Sequence, residues 1–237
     1  MSPWIRAGMF FIAAAIVAGF AGSAAAGSRK STAATCLSES SSPGNRIAAC
    51  TQLIGLHAAK KSGDTMAEAL LLSRAAAFGQ LGDYARAIAD ASRVINIAPT
   101  PAAYYTRALA YHNIGDNDRA IAYCNSALAI DPANANALFV RAASYQGKAE
   151  HPKAIRDYTE VLRLEPDLVD ALFSRGAAHY STGEYDRSVN DFTRVIDLGA
   201  AEGTVFYLRS LAYNELGRSA DRTLCATTGR GVVPGPA

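Results

Sequence analysis

Five arginines recur along the chain in near-constant phase: Arg74, Arg107, Arg141, Arg175 and Arg209 are spaced 33, 34, 34 and 34 residues apart. A small residue follows each one (Ala75, Ala108, Ala142, Gly176, Ser210), and a ring stands four positions on (Phe78, Tyr111, Tyr145, His179, Tyr213). A second series keeps the same beat: Ala87, Ala120, Ala154 and Ser188, spaced 33, 34 and 34. A period of this length marks one supersecondary unit that cannot bury its apolar face alone, so neighbouring units must stack.

Each unit reads as two helices. In the second, Tyr104, Ala108 and Tyr111 fall at i, i+4 and i+7, one stripe of a helix. Gly115-Asp116 breaks the pattern, with the aspartate placed to cap the next helix. That helix carries Ala120, Ile121, Cys124, Ala127 and Leu128 and stops at Pro132. Gly82-Asp83 and Gly183-Glu184 repeat the break, and Pro99 and Pro166 repeat the stop. The small residues let the paired helices approach closely, and the rings fill the gap to the next pair.

On these residues the chain resembles the tetratricopeptide repeat (TPR) family, in particular small exported bacterial members of unassigned activity. The resemblance implies an all-α, right-handed superhelical solenoid of antiparallel helix pairs. Its units are 68–100, 101–134, 135–168 and 169–202, with a lone first helix at 203–217, and Asn45–Leu56 resembles a degenerate second helix within a segment 45–67. The family's Trp and Leu-Gly are missing from the first helices, Ala149 replaces a turn glycine, and the fourth unit has Gly199 in place of its closing proline.

Asp90, Asp157 and Asp191 stand sixteen residues after Arg74, Arg141 and Arg175. Because arginine and aspartate recur together, the arginine row reads as structural ion pairs within each helical pair, not as a binding site. The second unit has Tyr123 at that place. A separate stripe lies about 100° around the first helices. The resemblance makes it the inner wall of the superhelix, where peptides bind. Its residues Leu72, Tyr105, Leu109, His112, Phe139, Gln146, Phe173, Tyr180 and Tyr207 are the expected groove. Family members that clamp a terminal carboxylate use lysine and asparagine from this wall. Lysine is absent here, so the expected ligand is an apolar or aromatic-anchored peptide segment.

The N-terminus carries an address. Residues 7–28 hold no charge, and after the strongly apolar part at 7–22 comes Ser23-Ala24-Ala25-Ala26-Gly27, with the small-residue spacing a signal peptidase accepts. Residues 1–26 are expected to be a signal peptide, with a retained N-terminal membrane anchor as the alternative. The mature chain is then periplasmic or secreted and not membrane-inserted. A flexible linker is expected at 27–44 and a disordered tail at 218–237. In that compartment Cys36 and Cys50 are placed to form a disulfide across a short loop.

With 23 basic and 21 acidic residues and no like-charge run of five or more, the chain has no footprint for nucleic acid. The four histidines and four cysteines show no metal-ligand spacing, and no nucleophile elbow or phosphate loop occurs. No enzyme, cofactor or metal is expected. The composite expectation is a non-enzymatic scaffold that binds a protein or peptide partner in a concave groove. The alternative is a structural subunit of a cell-envelope assembly, associating through the N-terminal segment and an uncapped C-terminal helix.

Overall fold

The structure, a computed structural model, describes residues 24–57, 65–200 and 202–217. The expected signal peptide, but for its last three positions, and the expected tail lie outside the described residues. Eleven helices and no strand occur among the described residues. They fall into two compact units, one ending at Pro132 and one beginning at Ala133.

In the first unit the helices are α1 (Ala24–Leu37), α2 (Pro43–His57), α3 (Thr65–Gln80), α4 (Tyr84–Ile97), α5 (Pro101–Asn113) and α6 (Asn117–Ile130). Each packs against the next, and α3 also touches α1 and α5. In the second unit α7 (Ala135–Gly147) pairs with α8 (His151–Leu164), and α9 (Val169–Ser181) with α10 (Tyr185–Asp197). The last helix, α11 (Gly203–Glu215), packs on α10 and α9. Both units are stacks of helix hairpins, the α-solenoid arrangement.

The small-residue series does what close packing requires. Ala75, Ala108 and Ala142 in the first helices, and Ala87, Ala120, Ala154 and Ser188 in the second, are all buried. Gly176 is the tightest case. A Cβ there would lie 3.0 Å from Cε1 of Phe192 and 3.2 Å from Cβ of Asp191, so α9 and α10 meet on bare backbone.

Helix ends follow local chemistry. Asp83 and Asp116 accept from the backbone N–H groups of Arg86 and Arg119, each at 3.1 Å, and cap α4 and α6. Ala98 and Asp131 sit in extended backbone, the conformation a following proline imposes, and Glu165 is likewise out of the helical region at φ −132°. Where the fourth unit lacks its proline, Gly199 ends α10 in the left-handed region at φ 71°. Ala149 adopts φ 57° at the joint where Gly82, Gly115 and Gly183 adopt 77°, 81° and 77°. The third hairpin therefore closes as the others do, with an L side chain in a region that suits glycine.

The N-terminal region differs from the sequence expectation. Residues 27–44 read as a flexible linker on the Ser/Pro/Gly-rich run from Leu37 to Asn45. Through Leu37 they are instead helical, in α1. Tertiary contacts override the weak pattern: Ala33 and Cys36 are buried with Ala49, Cys50, Leu53 and Leu70. Cys36 and Cys50 are bonded to each other, with Cα atoms 4.9 Å apart. Closing a loop of this length stabilises by roughly 3 kcal/mol on the chain-entropy account. Beside them Arg46 is buried, donating to Gln80 Oε1 at 3.3 Å and to Ser73 O and Oγ at 3.2 Å. Burial lowers its pKa, against the opposing charge of Glu39. Ser73 Oγ in turn donates to Cys36 O at 2.6 Å, tying α1 to α3.

The left-handed alanine gives a direct test. Ala149→Gly is expected to raise stability by about 1 kcal/mol and Gly183→Ala to lower it by a similar amount, read from urea denaturation midpoints.

Candidate functional site

Two kinds of side chain emerge from the first helices, and the structure sends them to different places. The arginine row turns toward the second helices. Arg74 donates from Nε and Nη2 to the two carboxylate oxygens of Asp90 at 2.7 and 2.8 Å. Arg141 holds Asp157 at 2.7 and 2.8 Å, and Arg175 holds Asp191 at 2.9 and 2.7 Å, through the same atoms. The third nitrogen reaches a threonine of an earlier second helix. Arg74 Nη1 donates to Thr51 Oγ1 at 2.9 Å, and Arg175 Nη1 to Thr159 Oγ1 at 3.2 Å. These threonines are absent from the sequence-based expectations, although in the later units they form a legible column two residues after the aspartates. In the second unit of the repeat, Arg107 lies 4.2 Å above the Tyr123 ring, a cation–π contact in place of the carboxylate.

The other stripe divides. Leu72 is buried, 5% exposed, in a cluster with Leu71, Val94 and Ala103, and offers nothing to a ligand. Tyr105, Leu109 and His112 are half-buried along α5. Burial, with a smaller contribution from Cys124, pushes the Tyr105 phenol up to about 12. In the second unit Phe139 meets Tyr158 edge-on at 5.5 Å, and Gln146 Oε1 accepts from the Tyr158 hydroxyl at 3.1 Å. Phe173 meets Phe192 at 5.8 Å. Both phenylalanines are thus anchored on the second helix of their own hairpin.

Tyr180 and Tyr207 behave differently. Tyr180 stands edge-on to Tyr185 at 5.4 Å. Its phenol is raised first by burial, then by the charge of Glu215 and the neighbouring Tyr185 and Tyr207. Tyr207 is 53% exposed, and no other aromatic ring among the described residues is exposed to this extent. Tyr185 and Glu215 join this patch without having been singled out from the sequence, because neither shares the stripe of the first helices.

Comparison with known proteins agrees with this geometry. Tetratricopeptide repeat profiles match residues 101–134 and 138–203. Over these residues the chain carries tetratricopeptide repeats. Among solved structures, a MamA crystal structure is 22% identical over 65% of this chain and 87% of its own, with a TM-score of 0.56. MamA AMB-1 in a C2221 crystal is 20% identical over 68% and 95%, with a TM-score of 0.59. A tetratricopeptide repeat protein from Parabacteroides merdae ATCC 43184 is 18% identical over 78% and 72%, with a TM-score of 0.61. Such identities carry the fold. No curated protein sequence matches the chain. Among the described residues no cluster of three metal-ligating side chains occurs.

Within the repeat frame His179 takes the slot that Phe78 and Tyr111 fill elsewhere, and like them it is buried. Its Nδ1 lies 3.2 Å from Glu184 Oε2, yet burial dominates and lowers its pKa against the charges of Asp191 and Glu184. His112 is also lowered, by burial against a hydrogen bond with Asn117. The unfolded chain therefore takes up protons near pH 6.5 that the folded chain refuses. Stability is expected to fall as pH drops below about 6.5, by at most about 1.4 kcal/mol per pH unit for each histidine. His179→Tyr removes its share, and denaturation midpoints between pH 7.5 and 5 should then flatten.

Proposed function

We propose that this chain is an exported, non-enzymatic scaffold that holds a partner's apolar, aromatic-anchored peptide segment against the inner wall of its first helices. The observation that carries the reading is the aromatic patch of the second unit. Tyr207 is exposed beside Tyr180 and Tyr185, rings that present area at low entropic cost. Phe139 and Phe173 of the same stripe are half-buried and already oriented by Tyr158 and Phe192. In the first unit Tyr105, Leu109 and His112 are half-buried along α5 and offer rings and an apolar side chain of the same stripe. No lysine stands on these positions, so recognition rests on rings and not on a carboxylate clamp. Export is supported by the Cys36–Cys50 disulfide, which belongs to an oxidising compartment, and by the cleavage-site pattern ending at Ala26. No helix among the described residues is long and apolar enough to cross a membrane.

Peptides selected from a random library on the full chain should be rich in Trp, Tyr, Phe and Leu anchors. Tyr207→Ala is expected to weaken them by about tenfold or more while leaving the unfolding curve in place. Phe173→Ala is expected to cost stability as well as binding, because it also strips Phe192. Selection of peptides that need a free C-terminal carboxylate, or full binding by Tyr207→Ala, counts against the groove.

A further inference from the structure

The face of α11 that a second helix would cover is built to receive one. In each earlier hairpin the first helix shows its partner an apolar residue, the arginine, a small residue and a ring. In the fourth these are Leu172, Arg175, Gly176 and His179, and in α11 they are Phe206, Arg209, Ser210 and Tyr213. Leu172, Gly176 and His179 are buried, whereas Phe206, Ser210 and Tyr213 are only half-buried. Among the described residues no second helix comes after α11. The arginine shows the vacancy atom by atom. Arg209 Nη1 donates to Thr193 Oγ1 at 3.2 Å, as Arg175 Nη1 does to Thr159 at the same distance. The guanidinium is therefore held in the clasp orientation. Its Nε, the atom that in Arg74, Arg141 and Arg175 donates to an aspartate, is buried and has no acceptor among the described residues, as also at Arg107, where Tyr123 stands in the aspartate's place. An unsatisfied buried donor on a cation favours a ligand that brings a carboxylate.

The shape of that ligand is written in the chain's own second helices. They present a small residue, an aspartate three positions later and valine four positions after that: Ala87, Asp90 and Val94; Ala154, Asp157 and Val161; Ser188, Asp191 and Val195. The chain's continuation does not repeat this. At the same period the three slots fall on Arg222, Cys225 and Gly229, which supply bulk, no charge and no side chain. We propose that α11 is a docking site for an amphipathic helix of a partner protein, carrying a small residue and an aspartate at i and i+3. The aspartate closes on Arg209 and the helix completes the fifth hairpin in trans. This face is distinct from the Tyr180–Tyr207 wall and does not depend on it.

The probe is a fluorescent peptide with the sequence of residues 183–199, titrated against the full chain by anisotropy. Saturable binding is expected, weakened about tenfold by Asp191→Asn in the peptide or by Arg209→Gln in the protein, with no further loss when the two are combined. The peptide substitution leaves the protein untouched, so the test survives any folding defect of Arg209→Gln. Tyr207→Ala should leave this binding unchanged. No saturable binding, equal affinity across the four combinations, or loss with Tyr207→Ala but not Arg209→Gln overturns the proposal. So does a photocrosslink from benzoylphenylalanine at position 213 onto residues 218–237 of the same chain, which would make the occupant the chain's own tail.

Discussion

Everything in these units depends on how closely a first helix can approach the second, and on what fixes their angle once they meet. Alanine or glycine on one side and alanine or serine on the other bring the two backbones together, down to the bare Gly176 against Phe192. At that distance an arginine from one helix spans the gap and grips an aspartate on the other through two parallel hydrogen bonds. A partly buried pair of this kind adds modest net stability, because desolvation offsets much of the attraction. Its larger effect is geometric. A planar fork accepts one orientation of the carboxylate and so sets the register of the hairpin. The second unit of the repeat keeps the arginine over Tyr123, with attraction but without the fork.

The period, the helix pairs and the clasps were legible because each rests on one-dimensional spacing. Sixteen residues between Arg141 and Asp157 is enough to place both at one contact once the hairpin is granted. What failed to show is what depends on the opposite surface. Leu72 lies on the expected wall stripe by spacing but is drawn into the Val94 cluster. Phe139 and Phe173 read as free rings, yet Tyr158 and Phe192 rise from the second helices to meet them. Helix α1 was hidden by its serines, since its order comes from the disulfide and from contact with α3 and not from its own pattern. Arg46 gave no sign at all, because a buried arginine served by Ser73 and Gln80 has no recurring partner in the sequence. The departure at Ala149 leaves its joint closed as the glycine joints are, because the alanine takes up the left-handed conformation, whereas at Gly199 a left-handed glycine replaces the extended exit that proline gives elsewhere.

A molecule made this way acts through surfaces that its hairpins leave uncovered, and two stand out in the second unit. One is aromatic and nearly uncharged, around Tyr180, Tyr185 and Tyr207. The other is the open side of α11, where an arginine waits in the posture its counterparts adopt around aspartate. On the two proposals made above they take different ligands, an extended apolar-anchored segment and an acidic amphipathic helix, so that one scaffold would join two partners.

The claim beneath this account is that the arginine–aspartate clasp is an energetic coupling and not a coincidence of charged neighbours. A double-mutant cycle on Arg141→Ala and Asp157→Ala, read from urea unfolding of the full chain, measures it. Single losses of about 2–3 kcal/mol, with a coupling of at least about 1.5 kcal/mol, are what a partly buried bidentate pair predicts. Losses that simply add, to within about 0.5 kcal/mol, would contradict it.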